Sequence, residues 1–471
     1  MPLPVLSLEQ MRQWEKDTWA SGQTEAEVIR RVGRAVANCA LGLTQPSDLI
    51  LILAGKGHNG DDARCARDHL PERRVDVLDV GDPQGDLPKL ETLLSLKPAL
   101  VIDGLFGIGL NRPLSSPWVT LIDRVNATGL KVLAVDVPSG LDITTGQPQG
   151  AAIRALVTLT VGAPKAGLLS NSAWDYVGRL EVANDVGLAP NLPQSELQWT
   201  LPQDFATFPP PRAVAGHKGT YGHLSIIAGS LGYHGAGVLT ARGAQRAQPG
   251  LITLYALEPV YHVIASQLQA VMVSPWRAET KPADNRTAIL MGPGLAAEDV
   301  PDQIKLLVAE LWHRFAGPLI VDASALAWIP PEPPEQPGIR VITPHPGEAA
   351  RMLSCQTKEV QSDRLEALRN LSRRFSNTYV VLKGHQTLIG RSTGPVFVNS
   401  SGNPHLAQGG SGDVLSGYLA GLLAQRTLQS DSLLTLRYGV WQHGASADAL
   451  QNTRPNWVVE DLVSHLGVER S

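Results

Sequence analysis

Cysteine is scarce: Cys39, Cys65 and Cys355 are the only three in 471 residues, spaced too widely for a metal-binding set or a disulfide framework. Such usage points to a reducing compartment. Surplus positive charge is missing too, since 40 Lys and Arg against 44 Asp and Glu leave a net charge of −4. Nucleic-acid backbones are bound by clustered cations, so nucleic acid is not an expected partner and any phosphate recognition should be local. No apolar run reaches membrane-spanning length, and the opening MPLPVLSLEQMRQWEKDTW places acids and tryptophans where a signal peptide would be continuously apolar. The expectation is a cytoplasmic protein with no membrane partner. No internal repeat links the halves.

What is present reads as globular: 43% hydrophobic and 18% charged residues, in a chain long enough for two cores. In the first half LILILAG (49–55), VDVLDVG (75–81), ALVIDGLFG (99–107), KVLAVDVPSG (131–140) and LVTLTVG (156–162) read as buried strands. DDARCARDHL and PWVTLIDRVNATG read as helices between them. That alternation predicts an α/β fold with a parallel, doubly wound sheet. From about 186 to 215 it lapses into a proline-rich stretch, which puts the boundary near Pro209–Pro211 and the domains at 1–208 and 209–471. Beyond it HLSIIAGS (223–230), LITLYAL (251–257), AILMGPG (288–294), PLIVDAS (318–324), IRVITPHPGE (339–348) and YVVLKG (379–384) predict a second α/β domain.

LILILAGKGHNGDDARCARDHL sets G-x-G-x-x-G at Gly55, Gly57 and Gly60 between a strand and a helix, with Asp79 ending the next strand. This is the context of a dinucleotide fingerprint, so a dehydrogenase is one reading. The other is an ordinary strand-to-helix turn with Asp61 or Asp62 capping the helix, because those acids would stand where a pyrophosphate lies. VIDGLFGIGLNRPLSSPW and VLAVDVPSGLDITTG also end strands in polar loops, gathering Asp103, Gly107, Asp136 and Ser139 at the carboxyl edge of the sheet. Asn59, Asp103 and Ser139 offer only oxygen ligands, which suits a hard cation better than zinc.

Through these segments, and through GAPKAGLLSNSAWDYVGRLEVANDVGL, residues 5 to 190 resemble the NAD(P)H-hydrate epimerase family. The resemblance implies a Rossmann-like fold and substrate contacts from His58, Asn59, Gly60, Asp61 and Asp62. It adds Gly107, Ile108, Gly109, Leu110, Asn111, Arg112 and Pro113, together with Asp136 as the group moving a proton. It also implies a potassium ion on Asn59, Asp103 and Ser139. Where the family has G-x-G-N-N-G-G-D-G, this chain has His58, Asp61 and Ala63, and an Asp held at positive φ would be strained by about 1 kcal/mol or more.

In the second half GNPHLAQGGSGDVLSG (402–417) surrounds Asp413 with Gly409, Gly410, Ser411 and Gly412 where a buried helix should begin. A helix N-terminus offers unpaired N–H groups and partial positive charge, an anion site. A carboxylate there would repel phosphate unless it served as base for an attacking hydroxyl, which points to phosphoryl transfer. Simple helix capping by Asp413 is the alternative. Strand-end loops bring Ala236, Gly294, His345, Lys383 and Thr387 to the same edge.

This set resembles the ribokinase-like fold and, through HKGTYGHLSIIAGS, NSSGNPHLAQGGSGDVLSGYLAGLLAQ and WQHGASAD, the ADP-dependent NAD(P)H-hydrate dehydratase family from about 213 to 465. The resemblance implies that Ala236, Gly294, His345 and Asp413 contact the hydrated cofactor. Lys383, Gly384, His385, Gln386, Thr387 and Gly412 would contact the adenine nucleotide. Together the two likenesses imply repair of NADH-hydrate and NADPH-hydrate, with ADP as phosphoryl donor, AMP and phosphate as products, magnesium on the phosphates, and a homo-oligomeric state. Two departures are Ser324, where a second acid is usual, and Gln408, where Thr is usual. A vitamin or sugar kinase sharing the anion hole is the main rival, and a first domain that binds cofactor without catalysis is another.

Overall fold

Strands rich in Val, Ile and Leu with no polar face can only sit in a sheet covered on both sides. The computed structural model describes residues 1–110, 112–282, 284–298 and 300–468, and the chain forms two compact units. One spans Leu3–Glu196; the other comprises Met1–Pro2 and the chain from Leu197 onward.

The first unit carries β1 (Leu49–Ala54), β2 (Arg74–Asp79), β3 (Leu100–Gly104), β4 (Val132–Val135), β5 (Val157–Val161) and β6 (Arg179–Ala183). All pair in parallel, in the order β2-β1-β3-β4-β5-β6. Helix α1 (Leu8–Ala20) starts in a capping box of Ser7 and Gln10, and Thr24 caps α2 (Glu25–Leu43). Because strand side chains alternate, Ile50 and Ile52 face α2 and α3 (His58–Ala66), while Leu51 and Leu53 face α4 (Leu87–Ser95) and α5 (Ser116–Ala127). The expected Rossmann-like doubly wound sheet is present.

In the second unit the strands are β7 (Leu197–Trp199), β8 (His223–Ile227), β9 (Leu251–Leu257), β10 (Met272–Trp276) and β11 (Ala288–Met291). They continue with β12 (Leu319–Val321), β13 (Arg340–Ile342), β14 (Tyr379–Leu382), β15 (Leu388–Gly390) and β16 (Val396–Val398). Their order is β7-β16-β15-β14-β13-β12-β11-β8-β9-β10, parallel except where β15 runs against both neighbours. Strand order reverses between β8 and β11, the switch point at which open α/β sheets bind ligands beyond the strand carboxyl ends. Helix α6 (His234–Arg246) follows β8, and α7 (Ser411–Leu423) packs directly on it. A Cβ on Gly417 would lie 2.0 Å from Thr240 O, so only glycine allows this approach.

The boundary falls at Glu196–Leu197 and not at 208–209. Leu197–Trp199 joins β16 as a parallel strand, Asp204 pairs with Arg437, and Phe205 is buried against Tyr438 and Trp441. Proline density marks the loop after these contacts rather than the break itself.

Candidate active sites

A cavity of about 540 Å³ opens at the carboxyl edge of the first sheet. Loops after β1, β3 and β4, the end of β5 and the segment after β6 line it together with α1 and α2. His58, Asn59, Asp62, Gly107, Ile108, Gly109, Leu110, Arg112 and Asp136 from the expected set contribute; Gly60, Asp61 and Pro113 do not. Asn111 lies outside the described residues.

The glycine loop serves the chain's own packing. A Cβ on Gly55 would lie 2.1 Å from Leu105 O, and one on Gly60 would lie 2.1 Å from Gly55 O. Arg64 donates to Gly55 O at 2.6 Å and to Asp79 Oδ1 at 2.6 Å, so the acid of the dinucleotide reading is already engaged. Two further expectations are corrected. Helix α3 begins at His58 after Gly57 with no side-chain cap, so neither Asp61 nor Asp62 caps it. Asp61 is inside that helix, unstrained, and pairs with Arg64 at 2.8 Å.

Asn59, Asp103 and Ser139 do converge. Ser139 Oγ donates to Asp103 Oδ1 at 2.6 Å and its N–H to Oδ2 at 2.8 Å, while Asn59 Nδ2 donates to Phe106 O at 3.0 Å. Asp103 is fully buried, and that burial, offset in part by the Ser139 and Leu105 hydrogen bonds, pushes its carboxyl up to about 6. Asp136 holds φ at +65°, a costly conformation for a residue with a Cβ. Fully buried Lys165 secures it: Nζ donates to Asp136 Oδ1 at 2.5 Å, to Thr160 Oγ1 at 2.9 Å and to Val161 O at 2.8 Å. The Asp62 carboxyl, by contrast, makes no hydrogen bond among the described residues. Burial, then the charges of Asp136, Asp61 and Glu15, push it up to about 8. Glu15 is raised as well, by burial and by Asp136.

In the second unit Gly410, at φ +93°, is the N-cap of α7, so Ser411, Gly412 and Asp413 form its first turn; the Ser411 N–H turns back to Gln408 O at 3.3 Å, while those of Gly412 and Asp413 have no helical partner. Gly412 faces Lys383, whose Nζ would lie 3.5 Å from a Cβ placed there. Lys383 Nζ is 2.8 Å from Asp322 Oδ1 and 4.0 Å from Glu348 Oε2. Burial and the neighbouring Asp322 push Asp413 up to about 7, against the lowering pull of Lys383. His345 caps α8 (Pro346–Leu353): its Nδ1 accepts from Gly347 N at 3.0 Å, and its own backbone N–H donates to Glu348 Oε2 at 2.8 Å. Gly294, at φ +65°, meets Ala236, since its Cβ would come within 2.8 Å of that methyl. The Lys383–Thr387 loop is held by Arg364, which donates to the carbonyls of Leu382, Lys383, His385 and Gln386.

Both units have matches among known protein families. Residues 224–466 match the NAD(P)H-hydrate dehydratase family and residues 78–167 the YjeF-related protein N-terminus. A bifunctional NAD(P)H-hydrate repair enzyme of Coxiella burnetii is 32% identical over 98% of this chain and 98% of its own. The chain belongs to the NAD(P)H-hydrate repair enzyme family. The Escherichia coli member is 31% identical over 96% of this chain and 90% of its own. An ADP/ATP-dependent NAD(P)H-hydrate dehydratase from Bacillus subtilis, co-crystallised with ATP and Mg²⁺, superposes with a TM-score of 0.50. It is 29% identical and covers 59% of this chain and 97% of its own. The second unit therefore has the expected ribokinase-like fold.

Sequence reasoning passed over Lys165, Asp322, Glu348, Arg364 and His443. Asp322 ends β12 as Asp103 ends β3, a signal the strand-end rule makes available. His443 Nε2, from the long helix α9 (Ser432–Thr453), lies 3.1 Å from Ser411 O, and burial lowers its pKa to about 4. Nothing local in the sequence announces that contact.

Proposed function

We propose that this member of the family restores NADH and NADPH from their hydrates in two steps. The first domain interconverts the R and S hydrates. The second dehydrates the S form with ADP, releasing AMP and phosphate. The observation that carries the reading is Asp413 in the first turn of α7, among the amides of Gly409 to Gly412 and beside Lys383.

Hydroxide is a poor leaving group. Asp413 takes the proton of the ring hydroxyl as its oxygen attacks the β-phosphate of ADP, and the turn's N–H groups with Lys383 hold the transferring phosphoryl. The C6–O bond then breaks with phosphate leaving, the C5 proton is lost, and the ring double bond returns. A base whose pKa lies near the working pH suits this role.

Among the described residues no three His, Cys, Asp or Glu side chains converge as a metal cage. That fits magnesium arriving on nucleotide phosphates, where it neutralises charge. For potassium, Asp103 is a buried carboxyl that accepts from the hydroxyl and N–H of Ser139 and from the N–H of Leu105, with no cation paired to it among the described residues, so a monovalent ion on Asn59, Asp103 and Ser139 would supply countercharge.

The test supplies the full chain with NADH-hydrate and either ADP or ATP, following the near-ultraviolet absorbance of reduced nicotinamide alongside AMP and phosphate release. Recovery of absorbance with ADP supports the reading; a stable phosphoester without recovery would favour a kinase.

A further inference from the structure

Two carboxyl groups line the first cavity in opposite circumstances. Asp136 is committed, with Lys165 Nζ at 2.5 Å and Val161 N at 3.0 Å on the same oxygen. Asp62 is 9% exposed, lines the same space, and its carboxyl has no hydrogen-bond partner among the described residues. Strand order places β3 between β1 and β4. Asp62, on the helix after β1, and Asp136, in the turn after β4, therefore reach the cavity from opposite sides of the loop that follows β3.

A carboxyl buried without donors, against Met11, Trp19, Val28 and Leu105 of the same cavity, is most stable neutral and has a proton to give. One that accepts from an ammonium and an amide presents oxygen lone pairs and can receive one. Paired environments that separate two carboxyls in this way assign the acid and the base.

We infer that Asp62 is the proton donor, and Asp136 the acceptor, of an epimerisation that removes and returns water at the hydroxyl-bearing ring carbon. The ring nitrogen's lone pair forms a double bond to C6 as the C6–O bond breaks, and the Asp62 proton goes to the departing oxygen, giving water. A water molecule then adds to the opposite face of the planar carbon and yields its proton to Asp136, while the electron pair returns to nitrogen. Exchange with solvent reprotonates Asp62 and deprotonates Asp136. This inference rests on the epimerase reading above.

The experiment uses the intact chain without nucleotide, given purified R hydrate of NADH in water enriched in heavy oxygen, with products resolved by chromatography and mass spectrometry. Each conversion to the S form should carry one solvent oxygen. Asp62→Asn should lower kcat by about 100-fold or more with KM nearly unchanged, and Asp62→Glu should recover part of that rate. Retention of the original oxygen, or an Asn variant of near-normal kcat, overturns the assignment while leaving epimerase activity intact. If the unaltered chain does not speed interconversion at all, the epimerase reading itself fails.

Discussion

Lys383 Nζ lies 2.8 Å from Asp322 Oδ1, so the cation facing the glycine turn is itself held by an acid buried at the end of β12. Burial disfavours the ammonium, but Asp322, Glu348 and Asp413 outweigh it and keep the Lys383 pKa above the ordinary value. Three acids around one cation leave a surplus of negative charge. Together with burial, that surplus makes Asp413 a weakly ionised carboxyl near neutrality, while Lys383 remains charged.

Lys383→Met removes the charge that pulls Asp413 down. The acid limb of the dehydration rate should then move to higher pH, because Asp413 must be ionised to act as base. The pH dependence of kcat/KM at saturating ADP checks this; a limb that stays in place refutes the coupling. Loss of the buried partner of Asp322 should also destabilise the domain by about 3–5 kcal/mol, readable in urea melts.

Asp413→Asn tests the base alone. The helix starts at Ser411 with Gly410 as its N-cap and no side-chain cap, so the alternative of Asp413 as a simple cap is corrected, and loss of a general base should cost roughly 10²-fold or more in rate. Stability should move the other way. With its folded pKa near 7 and an unfolded value near 3.8, Asp413 keeps a proton in the fold that the unfolded chain releases. Its presence lowers stability progressively as pH rises across that window, and the full penalty remains above it. The Asn variant should therefore be more stable than the parent at pH 8, by about 1 kcal/mol or more, and lose that advantage in acid.

Strand positions were readable because buried parallel strands are short apolar runs, and LITLYAL becomes Leu251–Leu257 without adjustment. Polar residues at strand ends, from Asp103 to Lys383, were readable for the same reason. The glycine spacing was ambiguous because close backbone approach looks alike whether the neighbour is a pyrophosphate or Leu105 O. Hidden entirely were residues whose partners are distant in sequence: Lys165 under Asp136, Arg364 under the loop after β14, and His443 against Ser411. Leu197–Trp199 escaped for another reason, being too short for its alternation to register before it paired with β16.

Lys165→Met leaves Asp136 buried at a strained φ with its ammonium gone. Removing one partner of a buried pair is worth about 3–5 kcal/mol, so the first domain should melt earlier. Epimerisation should fall even where the variant remains folded, because Asp136 then loses the donor that fixes its acceptor oxygen toward the cavity. Double substitution with Asp136→Asn should restore much of the stability but none of the rate. An additive loss of stability in the double variant would show that the two side chains act independently.

Arg364 donates to four carbonyls of the Leu382–Gln386 loop, and burial lowers its guanidinium only to about 10, so it stays charged. A planar fork can address several carbonyls at once; a lysine ammonium of similar charge cannot. The loop carries Lys383 at one end and Gln386, itself at φ +52°, near the other. Arg364→Lys should therefore keep the charge but loosen the loop, raising KM for ADP about tenfold with a smaller effect on kcat and none on epimerisation. Arg364→Met should be worse on both counts and destabilising by about 1–3 kcal/mol, since carbonyls now bonded are left unmet. Steady-state kinetics with ADP varied, beside an epimer-ratio assay on the same preparation, distinguishes this from a general folding defect. Equal losses in both activities would place Arg364 among purely structural residues.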